Sequence, residues 1–225
     1  MMGKLRKQLG LALSMGEGSD LIGVLYHRVV LYPSACRFLI KELEGCDSVL
    51  DFGCGENSML RFISPPSWTI GVDAWRTCVQ TSKRRGIHDD YIMTDINKIE
   101  LADKSVDAII LMEVLEHLTK DEAIALLDKL KRVARKKIIL TTPNGYLPQE
   151  NPENPFQLHK SGWKIDEMRQ MGFTAFKGVG GLRAFGWKFD RQLKFLLVQS
   201  LPQKIAYHFP RKANGFICKM DLVGK

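Results

Sequence analysis

Cysteine is scarce in this 225-residue chain, and the few cysteines follow no paired spacing. They are Cys36, Cys46, Cys54, Cys78 and Cys218. An odd number of scattered cysteines argues against a disulfide framework and against a cysteine-ligated zinc site. It favours a reducing compartment such as the cytosol.

Long apolar runs are also missing, since no stretch approaches the ~18 residues that span a bilayer. The first twenty residues have a basic start, but their apolar stretch is short and interrupted by glycine. This pattern predicts a helix rather than a signal peptide. The chain has no internal repeat, and its length predicts one domain with appendages. We expect a cytoplasmic protein, with peripheral attachment to a membrane as an open alternative.

Acidic residues are in short supply only toward the carboxyl terminus. The formal net charge is +8. Residues 46–145 contain 14 basic and 15 acidic side chains, whereas residues 146–225 contain 13 and 6. This basic third is suited to an anionic partner, although an ordinary solvated surface explains it equally well.

What the chain does contain is a series of short apolar runs separated by helical patterns. The runs cover 48–53, 68–73, 90–95, 106–112, 136–142, 174–179 and 215–222. Most lack polar alternation, as expected for strands covered on both faces. They predict an α/β fold with a Rossmann-like, doubly wound and mostly parallel sheet of seven strands. We divide the chain into an N-terminal helical cap (1–45) and a main domain (46–225) with a helical insertion at 180–214.

The stretch SVLDFGCGEN joins the first strand to the following segment. Gly53 and Gly55 accept positive φ and let a ligand approach the backbone. The Gly-Lys-Ser/Thr of a phosphate-binding loop is absent, and Ser58 replaces the third glycine of a dinucleotide fingerprint. We therefore expect a ligand with a carboxylate and an ammonium group. Asp51 would attract the ammonium, and backbone N–H groups would bind the carboxylate.

Two more aspartates follow strands at the same edge of the predicted sheet. Asp73 ends the second strand, where a carboxylate can accept both hydroxyls of an unphosphorylated ribose. Asp95 ends the third strand, where its side chain can accept from an exocyclic amine such as that of adenine. Amino acid, ribose and adenine together describe S-adenosylmethionine.

In combination, VLDFGCGEN, GVD, TDI and VDAIILMEVLEHL resemble the successive motifs of class I S-adenosylmethionine-dependent methyltransferases. The nearest group is the small-molecule branch called type 11, and the resemblance covers about residues 49–144. It implies that the last strand is antiparallel and that S-adenosylmethionine is converted to S-adenosylhomocysteine. Asn57 stands where many members have a third glycine. The positions expected to bind the cofactor are Asp51, Gly53, Cys54, Gly55, Asp73, Ala74, Asp95, Ile96, Met112, Glu113 and Val114.

Methyl transfer needs alignment and, for an O–H or N–H acceptor, a base. Glu116 and His117 are expected in the first helical turn after the fourth strand, and His117 has the chemistry of a base. Its alternative role is to hold a loop. His159, from the loop after the fifth strand, is the second candidate, and Asn144 is a candidate for the pocket lining.

The remaining histidines have no supporting partner in the sequence. We interpret His27, His88 and His208 as structural or surface residues. Because the histidines show no metal-ligand spacing, the sequence predicts no metal site.

The insertion at 180–214 combines basic and aromatic residues. Positions 177–219 contain 9 basic side chains and one acid, Asp190. Three interpretations of this insertion stay open. It forms a helical cap over the substrate, it lies as an interfacial helix on an anionic membrane, or it binds nucleic acid, for which the sequence has no recognisable module.

We therefore expect a methyltransferase acting on a small-molecule or lipid-linked acceptor, with oxygen as the expected acceptor atom. The alternatives are an RNA methyltransferase, favoured by the basic third, and an inactive cofactor-binding partner subunit. Damage to the cofactor turn would indicate the latter, and none is seen.

Overall fold

The computed structural model describes residues 33–64, 66–182 and 204–223. The main elements are α1 (Pro33–Glu42), β1 (Ser48–Phe52), β2 (Trp68–Asp73), α2 (Arg76–Arg84), β3 (Asp90–Met93), β4 (Val106–Met112), α3 (Lys120–Val133), β5 (Ala134–Pro143), α4 (Ile165–Gln170), β6 (Thr174–Leu182) and β7 (Ala213–Asp221). Strands and helices alternate through most of this range, as the sequence predicts.

The seven strands form one sheet in the order β3-β2-β1-β4-β5-β7-β6. The five strands from β3 to β5 in this order pair in parallel. β7 runs antiparallel to both of its neighbours, β5 and β6. The predicted Rossmann-like sheet, mostly parallel with an antiparallel last strand, is therefore confirmed. Strand order reverses between β1 and β4, which places a ligand crevice at their carboxyl ends.

The central strand β4 shows why the sequence has no polar alternation there. Ile109 and Leu111 pack with the buried face of α3, whereas Ala108 and Ile110 pack on the opposite side with α1. Burial of each large aliphatic side chain contributes roughly 1.5–3 kcal/mol. Two apolar layers therefore fix the sheet from both faces and hold its carboxyl edge in place.

Helix α3 begins at a capping box. The Thr119 hydroxyl accepts from the Glu122 N–H at 3.3 Å, and the Glu122 carboxylate accepts from the Thr119 N–H at 2.8 Å. Its buried face consists of Ala123, Leu126, Leu127, Leu130 and Val133. Its last residue, Val133, directly precedes Ala134, the first residue of β5.

Two local expectations differ from the structure. Glu116 and His117 lie in a single 3-10 turn, Leu115–His117, rather than in the first turn of a helix. The sequence also favours Ser161 as the N-cap of the helix that ends before Gly172, but α4 starts at Ile165, and the Ser161 hydroxyl instead donates to the Leu115 carbonyl at 3.1 Å. Tertiary contact with the turn after β4 has replaced the local capping role.

The predicted appendages lie partly outside the described residues. Of the cap at 1–45, the structure describes 33–45, which contain α1; residues 1–32, with His27, lie outside it. β6 extends to Leu182, residues 204–208 are helical, and residues 183–203 of the insertion are outside the described range. Among the described residues, no helix has the length and apolar character needed to cross a membrane.

Candidate active site

The polar residues singled out in the sequence lie where the parallel strands end. Asp51 is the penultimate residue of β1, and Asp73 is the last residue of β2. Asp95 follows β3 by two residues, and Glu113 immediately follows β4. Because the carboxyl ends of parallel strands share one edge, these four carboxylates surround the crevice expected for a ligand.

The turn after β1 contains two glycines with left-handed backbone, with φ of 64° at Gly53 and 57° at Gly55. A side chain on Gly53 would lie 2.7 Å from Cγ2 of Val114, whereas nothing lies within 4 Å of the same position on Gly55. Cys54 is buried between them, and its N–H donates to the Val72 carbonyl at 3.0 Å. Gly53 is therefore needed for packing, while Gly55 leaves open space for a ligand.

Asp73 connects the ends of the first two strands. Its carboxylate accepts from the N–H of Gly55 at 2.9 Å and from the N–H of Trp75 at 2.7 Å. Burial raises the pKa of Asp73, and the backbone donors partly offset that rise. A carboxylate has about four acceptor positions, so Asp73 can hold the turn and still accept the hydroxyls of a ligand. Ala74 follows it and is half-buried.

Asp51 is buried beneath the glycine turn, with 1% of its surface exposed. It accepts a hydrogen bond from the Ser58 hydroxyl, and one of its oxygens lies 3.5 Å from Nε2 of His88. Burial raises the pKa of Asp51 to about 7; the Ser58 hydrogen bond opposes this rise and the nearby charge of Asp73 adds to it. The carboxyl therefore changes its ionisation near neutral pH, where a cationic ligand would stabilise the ionised form.

Asp95 and Ile96 lie in the turn after β3. The Asp95 carboxylate accepts from the N–H of Asn97 at 3.0 Å, and both Asp95 and Ile96 are half-buried. This turn stabilises the loop locally. It leaves further acceptor positions on Asp95 for an amine, so its cofactor role stays a prediction.

The segment after β4 begins with a backbone conformation that non-glycine residues rarely adopt. Glu113 has φ of 56°, which costs on the order of 1–3 kcal/mol. Its N–H donates to the Thr141 hydroxyl at 3.0 Å, which holds the turn against β5. Met112 is half-buried before it, and Val114 after it packs against Gly53. The strained turn thus brings β4 residues to the glycine turn.

Three side chains form a cluster beside this turn, namely Glu116, His117 and His159. One potential ligand atom of each lies within 4.8 Å of those of the other two. The two imidazole rings meet edge to face with centroids 4.8 Å apart. Glu116 and His159 are buried, and His117 is half-buried. The structure thus brings together all three predicted catalytic residues.

The acidic side of the cluster is a carboxyl pair. Burial raises the pKa of Glu116, and the charge of Glu113, a residue with an exposed surface, raises it further. Oε2 of Glu116 accepts from the Thr142 hydroxyl at 3.0 Å. Two carboxyl groups this close do not both ionise easily without a cation.

The loop after β5 carries His159 to this position through backbone hydrogen bonds. The N–H groups of Lys160 and Ser161 donate to the Glu116 carbonyl at 2.7 and 3.1 Å. The Tyr146 hydroxyl donates to the His159 carbonyl at 3.3 Å. The loop is therefore anchored on the turn after β4.

The structure adds detail to two sequence interpretations. His88, interpreted as a structural or surface residue, has a fully buried side chain beside Asp51 under the candidate site. Asn144, a candidate for the pocket lining, uses its amide to donate to the carbonyls of Pro210, Arg211 and Ala213 at 3.1–3.2 Å. Ser58 and Thr142, which the sequence analysis missed, hold the buried carboxyls. Ser58 is 7 positions from Asp51 and Thr142 is 26 positions from Glu116, so neither hydroxyl has a distinctive signal in the sequence.

Sequence comparison matches residues 50–141 to the family described as "Methyltransferase domain", type 11. No curated protein matches the chain.

Several solved structures share the fold. The small RNA methyltransferase HEN1 has a TM-score of 0.57 and 18% identity over 86% of this chain and 25% of that chain. This chain therefore spans about a quarter of its length. A magnesium protoporphyrin IX methyltransferase from Synechocystis PCC 6803, with bound SAM, has a TM-score of 0.51 and 16% identity over 92% and 87%. The plantazolicin methyltransferase BpumL, in complex with SAH, has a TM-score of 0.51 and 18% identity over 97% and 95%.

Proposed function

We propose that this chain, which carries a class I S-adenosylmethionine-dependent methyltransferase domain of type 11 over residues 50–141, methylates a hydroxyl group of a small-molecule or lipid-linked acceptor. The observation that carries the proposal is the carboxyl edge of the sheet. There, an open glycine turn, two buried or half-buried aspartates and a pair of histidines lie together.

The residues at this edge fit the cofactor. The open space at Gly55 admits a ligand close to the backbone, and Asp73 beside it has acceptor positions for ribose hydroxyls. Asp51 supplies a buried carboxyl for the ammonium group. When bound, S-adenosylmethionine supplies an activated methyl group for in-line transfer. The residues of the chain then contribute alignment and exclusion of water.

An acceptor hydroxyl must lose its proton, and the two histidines are our candidate bases. Burial lowers the pKa of His117, the Leu158 carbonyl opposes this shift, and the adjacent His159 adds to it. His117 is therefore neutral at neutral pH. Nδ1 of His117 lies 3.3 Å from the Leu158 carbonyl, so that nitrogen donates and Nε2 is the basic atom.

Calorimetry with S-adenosylhomocysteine tests the cofactor. We expect micromolar affinity or better, and no comparable response to NADH. The acceptor hydroxyl is tested with isotopically labelled S-adenosylmethionine and metabolite or lipid extracts, followed by identification of the labelled atom. His117→Gln should lower turnover by ~10²-fold or more with unchanged cofactor affinity, while His208→Gln serves as the control. Binding of NADH alone would contradict the proposal.

Contact with an anionic membrane is part of the proposal for a lipid-linked acceptor. Ile205 and Phe209 are 42% and 55% exposed, and Lys204 and Lys212 lie exposed beside them. Apolar and basic side chains together favour an anionic bilayer. Sedimentation with anionic liposomes should decrease with salt and with Phe209→Ser. Trp68→Ser, which changes an exposed residue at the amino end of β2, should not change it. Equal sedimentation of the wild type and both variants would indicate a soluble acceptor.

RNA is the second candidate acceptor, because the last 80 residues carry a charge excess of +7 (13 basic against 6 acidic side chains). Transfer of a labelled methyl group to total RNA, with a steep salt dependence, would favour it. Label in metabolite or lipid extracts alone would exclude it.

A further inference from the structure

We infer that Glu116, His117 and His159 bind one divalent transition-metal ion, which in turn binds the acceptor oxygen. The inference goes against the expectation drawn from sequence spacing. It rests on the proposed function for its catalytic meaning, but the ion site itself can be tested without any methyl transfer.

The first observation is the convergence of three potential ligands. One ligand atom of each residue lies within 4.8 Å of the other two. Ligands of a common ion at about 2.0–2.2 Å lie roughly 3–4 Å apart, so small side-chain rotations would close the cluster.

The second observation is an unsatisfied oxygen in the cluster. Glu116 is buried, with 2% of its surface exposed. Its Oε2 accepts from Thr142, but Oε1 has no hydrogen-bond partner among the described residues. A buried carboxylate oxygen without a donor is costly unless a cation or a proton neutralises it.

The third observation is the orientation of the two histidines. Nδ1 of His117 lies 3.3 Å from the Leu158 carbonyl, and Nδ1 of His159 lies 2.6 Å from the Leu147 carbonyl. A carbonyl only accepts, so each Nδ1 carries the hydrogen in the neutral ring and Nε2 keeps a lone pair. Donation of one ring N–H to a backbone carbonyl is the usual arrangement of a metal-binding histidine.

The donor set indicates the class of ion. Two imidazoles and a carboxylate suit Mn²⁺, Fe²⁺, Co²⁺, Ni²⁺ or Zn²⁺, whereas Mg²⁺ and Ca²⁺ prefer oxygen ligands. Three protein ligands leave coordination positions open.

The site lies next to the cofactor turn, since Val114, two residues before Glu116, packs on Gly53. A divalent ion there makes an acceptor hydroxyl more acidic. The hydroxyl proton then passes to solvent water instead of to His117, because Nε2 of His117 is a ligand of the ion. The oxygen then forms its bond to the methyl carbon, and the carbon–sulfur bond breaks with its electron pair going to sulfur. The oxidation state of the ion does not change.

The competing explanation is a proton in place of the ion, shared between Glu113 and Glu116. To separate the two, the full chain is stripped with a chelator and titrated with Co²⁺ and Mn²⁺, with Mg²⁺ in a parallel titration. We expect one Co²⁺ per chain with the visible absorption of a nitrogen-ligated ion, and weaker binding of Mg²⁺. His159→Ala and Glu116→Gln should each weaken Co²⁺ binding at least ~10-fold, no less than loss of an outer-shell partner does.

The matched controls are His208→Ala and Glu100→Gln, which remove the same groups from exposed positions. Thermal unfolding and S-adenosylhomocysteine affinity check the fold of each variant. If Glu116→Gln does not fold, the Co²⁺ affinities of His159→Ala and His208→Ala are compared instead, and only His159→Ala should bind Co²⁺ more weakly. Absence of Co²⁺ and Mn²⁺ binding, or equal binding by all variants, overturns the inference. If the protein binds S-adenosylhomocysteine but no metal ion, the metal site is wrong and the proposed function stands. If it binds the ion but not S-adenosylhomocysteine, the proposed function is wrong.

Discussion

Two buried aspartates at opposite ends of the sheet differ in what surrounds them. Asp107, at the amino end of β4, accepts from the Asp47 N–H at 2.8 Å, from Arg135 at 2.7 Å and from Lys136 at 3.1 Å. Asp51, at the carboxyl end of β1, accepts from the neutral Ser58 hydroxyl and lies near His88.

The same contrast appears in their ionisation. Burial acts to raise the pKa of Asp107, but its hydrogen bonds and cations outweigh burial and lower it to about 2. Burial raises the pKa of Asp51 to about 7. The amino end has the arrangement of a structural ion cluster, complete within the chain. At the carboxyl end, Asp51 has no Lys or Arg partner among the contacts described above, and its pKa is raised. Such a perturbed carboxyl group is typical of functional sites.

The largest expected loss of stability comes from Asp107→Asn. It removes the charged acceptor of three hydrogen bonds, and because Arg135 and Lys136 are 42% and 39% exposed and stay hydrated, we expect a cost of about 1–3 kcal/mol in unfolding free energy. Denaturation with urea measures this loss, and cofactor affinity should not change. Asp103→Asn, which breaks an exposed pair with Arg132, is the control and should cost at most about 1 kcal/mol. Equal losses of unfolding free energy in the two variants would mean that Asp107 is not part of a structural ion cluster.

The wild-type pH dependence tests the same pair. Because the folded pKa of Asp107 is lower than the unfolded one, its contribution is present above about pH 4. It should be lost as the pH falls toward about 2, and Asp107→Asn should abolish this part of the acid transition.

Asp51→Asn should act in the opposite direction on the ligand-free protein. The folded pKa is raised, so ionisation destabilises the fold as the pH rises from about 4 through about 7. The variant cannot ionise and should gain up to about 4 kcal/mol relative to wild type at pH 8. S-adenosylhomocysteine affinity should rise with pH through about 7 in the wild type only. A difference in stability that does not depend on pH would contradict this assignment.

Asp73→Ala tests the carboxyl edge through the cofactor. It should weaken S-adenosylhomocysteine binding by roughly 1–3 kcal/mol, because ribose hydroxyls lose their acceptor in a closed site. Asp90→Ala, at the amino end of β3, removes an exposed carboxylate and should leave the calorimetric affinity unchanged. Equal affinities for both variants would place the ribose elsewhere.

The smallest expected effects come from substitutions of two glycines, one at each end of the sheet. Gly45 and Gly55 both have positive φ and open space at the Cβ position. Alanine at either position should cost about 1 kcal/mol of stability, from backbone strain alone. Only Gly55→Ala should also weaken cofactor binding in calorimetry. A loss of affinity in Gly45→Ala would mean that the two ends are not independent.

The sheet and its carboxyl edge could be predicted from the sequence because their signals are local. An apolar run without alternation, as in 106–112, specifies a strand covered on both faces. A glycine pair directly after a strand specifies a tight turn, and an aspartate at a strand end lies at the ligand edge by topology alone. The start of α4 could not be predicted in this way, because Ser161 is recruited by the Leu115 carbonyl from another part of the chain.

The sequence by itself thus determined the doubly wound architecture and the strand-end carboxylates that indicate the cofactor. Only the tertiary structure decided which side chains meet beside the turn after β4. His117 and His159 are distant in the chain, and spacing rules cannot detect ligands that come from two different loops. They meet because the backbone N–H groups of Lys160 and Ser161 bind the Glu116 carbonyl. Such hydrogen bonds use peptide groups that every residue carries, so no pattern of side chains encodes them.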